Sequence, residues 1–295
     1  MTTSVTAPEV SGGTVRAERH LVSDFEGWRI ITKHQLQHYL RTNRFLGLLG
    51  FVFVISALTL TFQISTGVAT VRVEDLFHPS EYTCNFLNYA PLWIILAAAF
   101  FGGDALSVDF STGAGYYMLV LPIRRSVLLT GRYSAAALVT LAVVGLYYAF
   151  AIAGTAYFFG GASVPWVGIA QSLGVAALFT LATLSVAFCI SSSTRSPATG
   201  VLITILALYV GFTVLESLTE LAGLEPWFSL NYAGGAIYSV LDTDFLHKQI
   251  IPLGASQSYY IWSATVREGL EIMAGYVAVF LPLSAYLYHR KESTG

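Results

Sequence analysis

Charge is scarce in this sequence. Asp, Glu, Lys and Arg make up 11% of its 295 residues, against about 25% in soluble domains. An ordinary aqueous globular enzyme is therefore excluded from the start. Cysteine is scarcer still: Cys84 and Cys189 are the two in the chain. They fall near opposite ends of apolar runs, a membrane thickness apart and too far to be bridged, so no disulfide framework is expected. No Gly-Lys dipeptide occurs, and with it the GxxxxGK[ST] phosphate loop is missing. The chain is not expected to bind and hydrolyse ATP itself. There is no HExxH and no Cys/His cluster with metal spacing. His20, His34, His38, His78, His247 and His289 are scattered. His34 and His38 stand four apart but have no third ligand close in sequence, so no metal site is expected. The first 20 residues are polar, and no cleavable signal peptide is expected. No residue is expected to be catalytic, and no cofactor is expected on this chain.

Apolar length is what the chain has in quantity. Hydrophobic residues make up 55% of it, and a helix needs about 20 of them in a row to cross a bilayer core. Six runs qualify: Phe45–Ile64, Phe86–Gly103, Tyr133–Phe159, Trp166–Ile190, Ala198–Leu215 and Ile272–Tyr288. Their central thirds carry no Asp, Glu, Lys or Arg. Proton and ion relays keep costly buried charges inside spans, so a proton-coupled pump is disfavoured. No fixed-period repeat or inverted symmetry points to a secondary transporter built from paired halves. The expected fold class is an all-α membrane protein with six transmembrane helices.

The remaining charge is asymmetric. With the N-terminus inside, the inner segments hold Arg16, Arg19, Arg29, Lys33, Arg41, Arg44, Arg124, Arg125, Arg132, Arg195, Arg290 and Lys291, and the outer segments hold Arg72, Lys248 and Arg267. Twelve against three follows the positive-inside rule. Both termini are accordingly expected in the cytoplasm, with the chain in the cell membrane. Residues 1–22 read as a disordered cytoplasmic tail. Residues 23–44 read as an amphipathic interfacial helix, with Phe25, Trp28, Ile31, Leu36, Tyr39 and Leu40 at helical spacing among Arg29, Lys33, Gln37, Arg41 and Arg44. Ser23 or Asp24 is placed to cap it. The segment 217–270 is the largest outer region, expected as short helices on the outer face. Glu216 and Glu220, one turn apart, read as the interfacial end of the fifth run rather than a reception site for cations.

The segment from Gly103 to Arg132 stands out. It holds Asp104 and Asp109, then Gly113 and Gly115, then Leu-Pro-Ile-Arg-Arg at 121–125. This resembles the permease subunits of the six-span type-2 class of ATP-binding-cassette exporters. Those proteins carry a pattern close to Gly-Glu-x-x-x-Gly-Thr-x-x-x-x-Leu-x-x-Pro-[Ile/Val]-x-Arg after their second span, then Gly-Lys before the third. Asp109 falls on the acid, Gly113 on the glycine, Pro122 on the proline, Arg125 on the arginine, and Gly131 and Arg132 on the closing pair. Asp104 matches an earlier acid of permeases similar to that of the nitrous-oxide reductase maturation transporter. The chain departs from the pattern at Asp109, where Glu is usual, and at Ala114, where Thr is usual.

The resemblance covers roughly residues 24–291, and its implications are specific. Residues 45–291 would be a six-span permease domain. Residues of about 105–122 would form a coupling helix, with Asp104, Asp109, Phe110, Gly113, Tyr116, Pro122, Arg124 and Arg125 contacting a separate ATPase subunit. Trp28, Arg29, Lys33, Arg41 and Arg44 would belong to the interfacial helix. Two such ATPases, which bind ATP and magnesium, a second copy of this permease or a related one, and membrane lipids would be the partners. Nucleic acid would not. Export is the implied direction. The competing expectation is a non-transporting scaffold or assembly subunit of a membrane complex.

Overall fold

The computed structural model describes residues 23–66, 78–108, 124–241, 246–252 and 258–293. Helix α1 (Asp24–Arg41) is capped by the Ser23 hydroxyl, which accepts from the Glu26 amide at 3.2 Å. Asp24 and Glu26 in its first turn and His38 and Arg41 in its last complement the helix dipole. The chain then kinks at Thr42, where the backbone is extended, and runs on as α2 (Asn43–Thr66).

Next come α3 (Pro79–Leu87) and α4 (Ala90–Gly102), which together form one apolar stretch with a turn at Asn88 and Tyr89. Pro91 accounts for the turn, because its ring displaces the carbonyl of the preceding turn and it has no N–H to offer. The sequence places the start of this span at Phe86. The helix instead begins at Pro79, and Tyr82, Thr83 and Phe86 are buried on it. A proline suits a first helical turn, where its missing N–H costs nothing.

Helix α5 (Arg125–Phe159) also starts earlier than the apolar run suggests, at Arg125 rather than Tyr133. At about 1.5 Å per residue it is some 50 Å long, well beyond the ~30 Å hydrocarbon core. Gly160, with φ of 89°, ends it and permits the turn into a short 3-10 segment (Gly161–Ser163) and α6 (Trp166–Ser193). The fifth span is α7 (Pro197–Ile205), a π-helical segment (Leu206–Gly211) and α8 (Phe212–Leu221).

Short helices α9 (Leu230–Gly234) and α10 (Ala236–Ser239) follow. Strands β1 (Lys248–Pro252) and β2 (Ser258–Trp262) then pair antiparallel, with Lys248 opposite Trp262 and Ile250 opposite Tyr260. The hairpin is a departure from the helices expected in this region. Its residues, Ile and aromatics at short range, favour a pleated surface. Helix α11 (Val266–Ser293) closes the chain and begins before the expected Ile272.

Six of these helical stretches are long and apolar enough to cross a membrane. Helix α6 is the hub. It packs against α4, α5, α7 and α11, and Phe179, Leu184 and Phe188 on it are fully buried. The outer stretches differ: α2 exposes Leu46, Phe51, Leu58 and Phe62, and the fifth span exposes Leu202, Leu206, Val214 and Leu218. The bundle has two distinct ends. One gathers the start of α2, the ends of α4 and α6 and the starts of α5 and α7, with α1 packed on it. The other carries α9, α10 and the hairpin.

Candidate functional site

The candidate site is the α1 end, where the chain leaves α4 at Gly103 and returns into α5 at Arg124. The exit is pinned by four helices. From α1, the Tyr39 hydroxyl donates to the Phe101 carbonyl at 2.8 Å. From α2, the Arg44 guanidinium pairs with the Asp104 carboxylate. From α5, Arg132 donates through Nη1 to the Ala105 carbonyl at 3.0 Å. From α6, the Ser191 hydroxyl accepts from the Leu106 and Ser107 amides at 3.0 and 3.2 Å.

These bonds meet a backbone need. The last carbonyls and the following amides of a helix end have no partners within the helix, and burying them unpaired costs free energy. Here side chains of neighbouring spans supply the partners. Asp104 and Arg132 are 6% and 4% exposed, so both charges must be held by such contacts to be tolerated. Burial pushes the Asp104 carboxyl up, and the Arg44 guanidinium opposes that push.

A fifth span is joined through backbone alone. A Cβ placed on Gly200 of α7 would sit 2.1 Å from the Gly103 carbonyl oxygen, so the two segments touch main chain to main chain. Only glycine allows that approach. The re-entry point is fastened too. Arg124 precedes α5 and bridges Asp24 at 2.8 Å, and Arg125 donates to His289 Nδ1 at 3.3 Å.

Helix α1 lies against the first turns of α5. The Trp28 indole donates to the Ser134 hydroxyl at 3.2 Å, and Thr32 is within 3.2 Å of the Gly131 carbonyl. A Cβ on Gly131 would come within 2.8 Å of Ile31, so glycine there sets how closely α1 seats. Arg29, Lys33 and Arg41 face outward, together with the exposed Phe25 and Leu40.

The structure thus brings together Asp104, Arg44, Arg124, Arg125 and Trp28 from the sequence-derived set, while Arg29, Lys33 and Arg41 point away from this frame. Asp109, Phe110, Gly113, Tyr116 and Pro122 lie outside the described residues, as does most of the expected coupling helix at 105–122. Sequence reasoning gave no site role to Tyr39, Ser191, Gly103 or Gly200. The run of three serines at 191–193 ending an apolar helix was a visible signal for one of them; the partner of each was not. At the opposite end the structure also assembles Glu225, His247 and Glu268, which are distant in sequence.

No family model matches the chain, and no curated protein matches it.

Proposed function

We propose that this chain is the membrane-spanning permease subunit of an ATP-binding-cassette exporter, driven by a separate ATPase. The observation that carries the reading is the pinned exit and re-entry of the segment 109–123. Four helices hold residues 101–107 through side chains, and a fifth touches Gly103 directly. A push on a segment so anchored is delivered to five helices at once, because packed interiors transmit displacement rather than absorb it. In this reading ATP and magnesium belong to the partner, in keeping with a sequence that has no phosphate loop.

In this reading the α1 end is cytoplasmic, as the twelve-to-three distribution of Lys and Arg favours. Helix α1 lies in the headgroup layer, its exposed Phe25 and Leu40 dipping towards acyl chains among Arg29, Lys33 and Arg41. Two permease copies complete the pathway. The exposed apolar faces of α2 and the fifth span support this, as does a cleft of about 230 Å³ between the second and fifth spans, lined in part by Asn88, Tyr209, Asn231 and Tyr238.

The test is to purify the chain from its native membranes in mild detergent. The reading expects a subunit with a phosphate loop to co-purify, a photo-crosslinker at Gly113 or Tyr116 to capture it, and Arg125→Glu to weaken the association. Recovery of the intact chain without any nucleotide-binding subunit, or crosslinks at those positions to other proteins alone, would overturn it.

A further inference from the structure

At the hairpin end three elements bring ligating side chains together. Glu225 comes from the loop after α8, His247 from the residue before β1, and Glu268 from the first turn of α11. One ligand atom from each lies within 4.8 Å of the other two. His247 Nε2 stands 3.9 Å from Glu225 Oε1, and His247 Nδ1 stands 3.9 Å from Glu268 Oε2.

The imidazole is already oriented. His247 Nδ1 is 2.9 Å from the Ser263 carbonyl. A carbonyl only accepts, so Nδ1 carries the proton and Nε2 presents its lone pair towards Glu225. That is the arrangement in which a metal-bound histidine is held, with its second nitrogen donating to a backbone carbonyl. The carboxylates are oriented as well. The Tyr232 hydroxyl donates to Glu225 Oε1 at 2.7 Å, and the Thr265 amide donates to Glu268 Oε2 at 2.9 Å. Lys248, on β1, faces elsewhere, its Nζ 4.5 Å from the ring centres of Tyr260 and Trp262, and Arg267 pairs with Glu271.

We propose that Glu225, His247 and Glu268 bind a divalent first-row transition metal of the zinc class. The neutral imidazole selects against calcium and magnesium, which take oxygen ligands. Two carboxylates balance the dication. Zinc bonds of about 2.0–2.2 Å set tetrahedral ligand separations of roughly 3.3 Å, so the 3.9 Å between His247 Nε2 and Glu225 Oε1 must shorten by roughly half an ångström, and the Glu268 carboxylate, which now stands 3.9 Å from Nδ1, must swing towards Nε2. With three protein ligands on a half-exposed surface, water fills the fourth position. The ion would clasp the hairpin to α11 and to the loop leaving α8. This site stands independently of the transport reading and needs no partner subunit.

The experiment uses the full chain, free of affinity tags, stripped with chelator and held in detergent. Zinc is titrated calorimetrically, and cobalt absorption reports the ligand set. The proposal expects one zinc per chain and a rise in the unfolding temperature. Tyr232→Phe should weaken binding about 10-fold as an orienting group, and His247→Ala should weaken it by more than that. Glu225→Gln with Glu268→Gln should abolish the cobalt spectrum while the protein stays helical and monodisperse. His34→Ala with His38→Ala should leave binding unchanged. Zinc binding that survives His247→Ala, that disappears with His34 and His38, or that fails to appear in the wild-type chain would overturn the proposal.

Discussion

The two ends of the bundle solve the problem of a helix terminus in opposite ways. At the α1 end, the backbone beyond α4 is buried and bonded by side chains that reach across from four other helices. Main chain meets main chain at Gly103 and Gly200. At the hairpin end, short elements are joined through partly exposed carboxylates and an imidazole: buried Ser229 to Glu216 at 2.7 Å, buried Tyr232 to Glu225, and the triad around His247. The first arrangement is a rigid joint in which movement of one part moves the rest. The second is a clasp whose carboxylates and imidazole are partly exposed to solvent. A joint is what an external push requires, and a clasp is what a bound ion tightens.

Substitutions should separate the two ends. The largest loss is expected for Gly200→Val, because the nearest atom to the new side chain is a backbone oxygen that has nowhere to go. A cost of about 3 kcal/mol or more follows, read as lost folded yield or a collapsed denaturation midpoint in detergent. Arg132→Met should cost about 2 kcal/mol, the order of a buried charge-assisted bond whose carbonyl partner is left unpaired. Gly131→Ala should cost about 1–2 kcal/mol by forcing Ile31 and α1 away from α5. Protease sensitivity of α1 is the direct readout. At the hairpin end Ser229→Ala should cost about 1 kcal/mol, since this hydroxyl accepts from the Asn231 and Tyr232 amides at the start of α9. If Ser229→Ala proves as damaging as Gly200→Val, the contrast between joint and clasp is lost.

Asp104 offers a subtler test with a defined sign. Its carboxyl is raised by burial despite Arg44, so folding favours the protonated form. The resulting stability is complete below the ordinary carboxylate value, about pH 4, and is lost as pH rises through the raised value. The contribution of Asp104 should therefore fall as pH rises above about 4, read as a difference between the wild-type and Asp104→Asn profiles that shrinks with pH. A profile unchanged by the substitution would place the titration elsewhere. The smallest effect is expected for Arg124→Ala, whose bridge to Asp24 joins side chains 76% and 56% exposed. It should shift stability by no more than about 0.5 kcal/mol.

Much of the fold was legible because membrane spans are written as length and apolarity. The six helical stretches and the helix before the first of them follow from apolar runs and a cap. Boundaries were less legible wherever a polar residue is paid for by a partner elsewhere. Pro79–Asn85 and Arg125–Arg132 look like loop in sequence, yet they are helical because Tyr82 and Phe86, and Gly131 and Arg132, have neighbours to pack against. The hairpin was missed because its two short strands carry no periodicity long enough to compete with a helix reading.

The candidate site divides in the same way. Asp104, Arg124 and Arg125 could be singled out because acids and arginines are rare between apolar runs. Tyr39, Ser191 and Gly200 could not, since each matters only for what it touches more than 60 residues away in sequence. Sequence alone determined that this chain is built from apolar helices, that its positive charge lies towards one end, and that it has no phosphate loop of its own. Those are properties of composition and order. Tertiary structure alone decided that five helices converge on the exit from α4, and that Glu225, His247 and Glu268 meet. Convergence depends on which helices lie side by side, and that is settled by packing across the whole bundle rather than by any local run of residues.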